Sequence, residues 1–303
     1  MSDTTLNGTR YIPNPFLIMT KLYLLTVCVL FFYTNTFGQV DKSKNEKYTK
    51  NNKGKVFIYW GGNRGDFSNS DINFRGNGYN YTLKNVVADD KPKGYHIDYI
   101  NPLRMTIPQT NFRVGYFISN HYNVSLGLDH MKYVLRQNQI SNILGFINLP
   151  DTDKGSVFNG TYIDDNIRLT KDFIVFEHTD GLNYINTEIA RVDDISNLFN
   201  IQNTDIFQIN LTEGVSGGIL LPKTNSTLLS KERNDDFHIS GYGLSAKAGL
   251  NLTFCKHFFV EGDVKGGYIN MSDIRTTQFP EDRASQSFFF LERIIVVGGV
   301  FRL

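Results

Sequence analysis

The sequence predicts an all-β fold: an eight-stranded antiparallel up-and-down transmembrane β-barrel over residues 55–303. Three observations predict it. An export signal stands at the N-terminus, with no apolar stretch of helix-spanning length after it. Eight segments alternate apolar with polar or small residues at period two. The connections between those segments alternate between short and long, as the turns and loops of an outer-membrane barrel do.

The export signal is residues 1–38. Leu22–Tyr33 reads LYLLTVCVLFFY, with Lys21 before it and Thr36-Phe37-Gly38 after it. A basic start, a short apolar region and small residues at alternate positions make a cleavable signal, with cleavage placed between Gly38 and Gln39. The apolar run is too short for a membrane-spanning helix, which needs roughly 20 residues. Met19 is the natural start of such a peptide, which makes 1–18 an extension. Cys28 follows Val27 rather than a small residue and lies inside the apolar run, so it is not a lipidation site. Removing 1–38 takes Arg10, Lys21 and Asp3 from totals of 31 basic and 30 acidic residues and leaves 29 of each. A neutral mature chain argues against a nucleic-acid partner. Cys255 alone survives processing, so no disulfide framework forms within the chain. Residues 39–54 are polar and lysine-rich and are expected to be a disordered linker. The 26 glycines and 14% aromatic content of the chain suit β-structure.

The strands follow in order. Residues 55–63 are apolar on both faces, with Val56, Ile58 and Trp60 alternating with Phe57, Tyr59 and Gly61. Residues 109–119 set Phe112, Val114, Tyr116 and Ile118 against Arg113, Gly115 and Phe117. After the tight turn Asn120-His121, residues 122–136 set Tyr122, Val124, Leu126 and Leu128 against Asn123, Ser125, Gly127 and Asp129. Residues 181–192 repeat the pattern more weakly. Residues 205–221 repeat it with Glu213 on the apolar side. Residues 237–254 and 258–273 form a hairpin around Cys255-Lys256-His257, with Leu244, Ala246, Ala248, Leu250 and Leu252 opposite Ser245, Lys247, Gly249 and Asn251. Residues 285–303 close the chain. The connections 120–121, 193–204 and 255–257 are the shorter set, and 64–108, 137–180, 222–236 and 274–284 the longer.

The apolar face is assigned to lipid. Ten residues at roughly 3.3 Å each, tilted by about 40°, rise roughly 25 Å, the height of the apolar band. Counting back from Leu303 then places Arg293 at the outer boundary. Tyr242 falls near the same level, and Phe254, Phe258 and Tyr122 beside the short turns. The opposite face gives a lumenal charge network of Arg113, Asp129, Lys247, Glu261, Asp263 and Lys265. An eight-stranded barrel is just filled by its side chains, so these charges form a packed interior rather than a pore.

The stretches GLDHMKYV (127–134), EHTDGLNY (177–184) and HISGYGLSAKAGL (238–250), with the strand pattern, make the chain similar to small outer-membrane β-barrel proteins of Gram-negative bacteria, the eight-stranded OmpA/OmpX-like group. The resemblance covers about 55–303. It implies residence in the outer membrane, with membrane lipid and the barrel-insertion machinery as partners. It also implies an extracellular surface on loops 64–108 and 137–180 that serves binding, adhesion or envelope structure. In such proteins the last residue is usually aromatic; here it is Leu303, with Phe301 two residues earlier.

Two alternatives stand beside this. A secreted lipocalin-like barrel uses the same alternation with apolar residues inside. A lipid-modifying hydrolase is suggested by His238-Ile239-Ser240, because a His–Ser pair activates a hydroxyl when a carboxylate orients the His. It resembles the H-x-S pair on the wall of the barrel enzyme that deacylates lipid A. The expected acids Glu261 and Asp263 point to the lumen instead, so the motif is read as a strand end. His130, Glu177, His178 and Asp180 cluster near the outer rim without metal-ligand spacing. Gly76-Asn77-Gly78 is a turn between two short strands rather than a phosphate loop, since no helix follows. No cofactor or metal is expected.

Overall fold

The computed structural model describes residues 47–92 and 109–302. The export signal, residues 39–46, residues 93–108 and Leu303 lie outside the described residues. Fifteen strands form among the described residues: β1 Lys55–Phe67, β2 Ser70–Gly76, β3 Tyr79–Val86, β4 Ala88–Asp89, β5 Thr110–Phe117, β6 Tyr122–Leu135, β7 Ile140–Ile147, β8 Gly160–Arg168, β9 Ile174–Asp194, β10 Phe207–Leu220, β11 Lys223–Leu228, β12 Asn234–Phe237, β13 Gly241–Phe254, β14 Phe258–Arg275 and β15 Arg283–Arg302. No helix among the described residues is long and apolar enough to cross a membrane.

Eight of these strands close on themselves. β1 pairs with β5, β5 with β6, β6 with β9 and β9 with β10. β10 then pairs with β13, β13 with β14, β14 with β15, and β15 returns to β1. Every pairing is antiparallel and each barrel strand neighbours the next one in the chain, so the fold is an eight-stranded up-and-down barrel. Closure leaves no free edge in the wall.

The faces follow the alternation. Ile58, Val114, Leu126, Val215, Leu244, Leu250, Ile295 and Val297 are exposed on the outer wall. Arg113, Asp129, Glu188, Lys247, Asp263 and Lys265 are buried inside it. β15 is apolar on both faces for two reasons. Ile295 and Val297 face outward, while Ile294 and Val296 turn inward and pack with Phe57, Tyr59, Phe117 and Phe259. That cluster fills the lumen towards the turn end. Glu213, which breaks the outer face, lies opposite Arg191 across β9–β10. Arg293 is 62% exposed and its Nη2 lies 2.7 Å from Asp66.

Four departures from the sequence expectations stand out. First, the described parts of the long connections are not open loops. Beyond the belt, β15 pairs with β2, and β2, β3, β7 and β8 continue as a sheet. β11 pairs with β9 and β12, and β4 with β6. Their apolar faces share one core with the upper barrel, including Ile72, Phe74, Tyr81, Tyr133, Phe176, Leu228 and Phe288. We call this assembly the crown. Second, β9 begins at Ile174 rather than 181, because its upper end carries β11.

Third, His238 to Ser240 do not lie on a strand. They form the bend between β12 and β13, where the His238 N–H donates to Pro222 and the Ser240 N–H to Leu220. Fourth, residues 47–54 are ordered rather than disordered. A 3-10 turn at Tyr48–Lys50 crosses the turn end of the barrel. Thr49 Oγ1 donates to Thr204 Oγ1 at 2.8 Å, the Lys53 N–H donates to Asn120 Oδ1 at 3.0 Å, and the Tyr48 ring lies 5.0 Å from that of His257. The segment therefore touches all three short turns, which polarity alone does not reveal.

Candidate functional site

All six charges expected in the lumen are there, and the structure adds a seventh member at their centre. Glu188 on β9 accepts ion pairs from Lys247 at 3.3 Å, Arg113 at 3.6 Å and Lys265 at 3.7 Å. Lys247 also lies 3.0 Å from Glu261 and 3.1 Å from Asp263. Lys265 lies 2.5 Å from Asp129, and Arg113 lies 3.8 Å from it. Each cation thus meets at least two carboxylates. Glu188 was legible as an inward residue of a weak strand, but nothing in the sequence marked it as the junction of three cations.

Neutral side chains complete the network. Arg113 donates through Nε to Tyr59 Oη at 2.9 Å, through Nη1 to Ser125 Oγ at 3.1 Å and through Nη2 to Asn186 Oδ1 at 2.7 Å. Asn111 and Asn186 donate to the two oxygens of Asp129 at 2.8 and 2.9 Å. Asn251 donates to Glu261 at 2.8 Å. Gly127 makes the layout possible: a Cβ there would stand 2.6 Å from the Arg113 guanidinium carbon. A buried charge is tolerated when it is paired and its remaining hydrogen-bonding capacity is used, and most of this network meets both conditions. Glu188 Oε2 and both oxygens of the fully buried Glu292 are the exceptions, since no well-formed hydrogen bond reaches them among the described residues. Below the network a cavity of about 60 Å³ reaches the turn end, room for a few waters. The lumen is packed, not open.

The His238–Ser240 motif assembles differently from a hydrolytic triad. His238 Nε2 lies 2.7 Å from Asp273 Oδ2 on β14, a carboxylate that the sequence reading did not assign to it. Asp273 is held on its other side by Arg283 Nε at 2.9 Å. Burial raises the Asp273 pKa, but the hydrogen bond from His238 and the Arg283 charge outweigh it and hold the carboxyl below its usual range. Ser240 Oγ donates to the His238 backbone carbonyl at 3.2 Å and is buried, so hydroxyl and imidazole do not meet. The geometry is that of a structural His–Asp–Arg clasp at the crown rim.

The four rim residues considered for a metal diverge. His178 turns into the crown core, with Nδ1 3.0 Å from Thr224 Oγ1 and its ring against Phe176 and Tyr133. Burial pushes its pKa down to about 3. His130 Nδ1 lies 2.7 Å from Asn183, Glu177 accepts from Asn225, and Asp180 pairs with Lys223 at 3.3 Å. Asn77-Gly78 is the expected turn, between β2 and β3.

No family model and no curated protein matches the chain. Among solved structures it is similar to the outer membrane protein OprG from Pseudomonas aeruginosa, at 10% identity over 84% of this chain and 99% of that one, with a TM-score of 0.37. It is also similar to the N-terminal β-barrel domain of Pseudomonas aeruginosa OprF, at 9% identity over 82% and 98%, TM-score 0.25. A third is Neisserial surface protein A, at 8% identity over 80% and 97%, TM-score 0.28.

Proposed function

We propose that the protein is an outer-membrane β-barrel that conducts nothing and presents its crown as a binding surface outside the cell. One observation carries the location. The barrel wall is apolar outside and ionic inside, the reverse of a soluble barrel with an apolar interior. Leu250 and Val297 are exposed on the wall while Lys247 and Lys265 are buried behind it. In water the outer wall would expose a contiguous apolar band, which a soluble monomer avoids. In lipid the same band is favourable.

The ion network and the strap at 47–54 close the lumen, so passage through it does not account for the molecule. What remains is the crown, a sheet system that shares one core with the upper barrel and takes up much of the described chain. Surface binding or adhesion is the role that architecture supports. The hydrolase reading lacks support, because Ser240 Oγ is engaged with a backbone carbonyl rather than with the His238 ring.

The test is membrane fractionation with gel mobility before and after heating. The mature protein is expected in the outer-membrane fraction, migrating faster unheated than heated. Recovery in the soluble periplasmic or secreted fraction would refute the location. Purified protein in planar bilayers is expected to give no steady ion conductance.

A further inference from the structure

The turn end of the barrel carries an amphipathic face that the packed lumen does not require. Phe207 and Phe254 stand side by side at the lower edge of the apolar wall, with ring centres 5.1 Å apart, and Phe258 is exposed beside them. The apolar surface continues past that edge. The Cys255 N–H donates to the Ile206 carbonyl, which fixes Ile206 one residue beyond the aromatic pair, and Ile206 is 64% exposed. The same β9–β10 connection exposes Leu198, at 77%, and Phe199 on the 3-10 turn Ser196–Phe199. None of the three belongs to either apolar core.

Ammonium groups surround the same connection. Lys47 Nζ donates to the Gln202 carbonyl, and Lys256 lies 3.5 Å from Asp205. Lys50 follows Thr49, whose hydroxyl meets Thr204 and Asp205. Carboxylates do not balance these charges. Asp205 is shared between Lys256 and Thr49, Asp193 between Arg191 and His121, and Asp194 accepts from the Ser196 N–H. Glu213 lies on the outer wall opposite Arg191. Neither Lys50 nor Lys53 meets a carboxylate among the described residues. Arg302 is held by the strap carbonyls of Asn51 and Lys53, and Lys55 is buried on the Tyr48 carbonyl and Asn52. The turn end is positive towards water and apolar where it prolongs the wall.

The short turns of an outer-membrane barrel face the periplasm, so this face lies against the inner leaflet. We infer that it is a docking site for the headgroup of an anionic phospholipid. Lysines beside exposed Leu, Phe and Ile are the chemistry of a segment seated at the headgroup boundary, with apolar side chains towards the acyl region and ammonium groups on phosphate. Leu198, Phe199 and Ile206 supply the first part, and Lys47, Lys50 and Lys256 the second. A zwitterionic headgroup brings its own cation beside each phosphate and leaves the positive excess unbalanced. The glycan mesh of a cell wall offers carboxylates to the lysines but leaves the three apolar side chains in water. The inference rests on the membrane location above and not on the role of the crown.

The test uses mature protein folded in mixed phosphatidylcholine–phosphatidylglycerol vesicles. Heat-modifiable mobility verifies every sample first, so that a failed barrel is distinguished from a failed site. At low salt, spin-labelled phosphatidylglycerol is expected to associate at least about fivefold more strongly than spin-labelled phosphatidylcholine, the effect of one lysine at an anionic surface. Wild-type protein should lose that preference in 1 M salt, where the screening length is about 3 Å. The variant Lys47→Gln/Lys50→Gln/Lys256→Gln should lose it at low salt with mobility unchanged, and Lys84→Gln in the crown should keep it. Leu198→Cys in a Cys255→Ser background, labelled with a fluorophore, should be quenched by lipid carrying a nitroxide close to the headgroup. Folded wild type that takes up both lipids equally, a triple variant that keeps the preference, or a label at position 198 that stays unquenched would overturn the inference. Retention of the folded protein on cell-wall sacculi without lipid selectivity would also overturn it and assign the face to the cell wall.

Discussion

Replacing Glu188 with Ala tests whether the lumen is packed or wet. Glu188 is 2% exposed and stands within 3.3–3.7 Å of Lys247, Arg113 and Lys265. In a dry interior, removing one partner of a buried charge cluster strands the others, at a cost of about 3–5 kcal/mol. The neighbours limit that cost. Lys247 keeps Glu261 and Asp263, and Lys265 keeps Asp129. Arg113 keeps a more distant Asp129, at 3.8 Å, with Tyr59, Ser125 and Asn186. The loss is therefore expected near 3 kcal/mol, about two decades in the folding equilibrium. In a water-filled lumen the same deletion would cost no more than the roughly 1 kcal/mol of an exposed pair. Urea unfolding in vesicles measures it, followed through the fluorescence of Trp60, the single tryptophan. A loss below about 1 kcal/mol, or conductance in the wild type, would refute the packed-lumen argument. Combining Glu188→Ala with Lys247→Leu is expected to be non-additive by about 1 kcal/mol or more, since the two groups are in contact.

Other expectations can be checked in the same preparations. Leu250→Arg places a charge on the lipid face, four residues above Phe254 and so roughly 10 Å into the band, where the cost is about 2–4 kcal/mol; its folded fraction should fall, and wild-type folding of this variant would mean the faces are reversed. His178 ionises near 3 in the folded protein because it is buried. The unfolded chain takes up that proton near pH 6.5, so it binds more protons between the two values and stability falls as pH drops from about 6.5 towards 3. The slope is at most about 1.4 kcal/mol per pH unit, and it should be absent from His178→Gln when unfolding is compared at pH 7 and pH 4.5. Deleting residues 39–53 removes the strap and should lower stability by about 1–3 kcal/mol through lost hydrogen bonds, without opening conductance; a conducting variant would make the strap, rather than the ion network, the seal. N-terminal sequencing of the membrane-associated protein should begin within a few residues of Gln39, and retention of Leu22–Tyr33 would contradict export by a cleaved signal.

The barrel was legible because its signal is local. Alternation along 122–136 or 237–254 fixes which side chains share a face whatever the partner strand is, and the six inward charges could be named from parity alone. The two fully buried carboxyl-bearing members that matter most were not. Glu188 lies in a segment where Thr187 and Asn186 blur the alternation, and Glu292 lies beside Arg293 in a strand read mainly for its apolar end. Both are set by which strands become neighbours, and pairing is a non-local property. The crown was missed for a different reason. Its strands are short, and β8 is exposed along nearly its whole length, so no segment there shows a face by itself. The apolar residues of β2, β3, β7 and β11 acquire a common core only after β9, β14 and β15 have been raised past the belt to receive them.

That dependence bears on how the molecule divides its work. The belt tolerates almost any apolar side chain outward, and the lumen fixes a set of charges inward; neither leaves freedom for recognition. The crown is built on strand ends that the barrel already holds in register: β15 carries β2, β6 carries β4, and β9 carries β11. A surface mounted this way inherits the rigidity of the wall, and its outer connections can vary without disturbing the alternation beneath. The clasp of His238, Asp273 and Arg283 stands at that junction. It ties the β12–β13 bend to β14 and β15. Asp273→Asn should therefore increase hydrogen exchange in residues 234–240 while the folded fraction of the barrel stays at wild-type level. Equal protection of that bend in both proteins would mean that the backbone bonds to Pro222 and Leu220 hold it unaided.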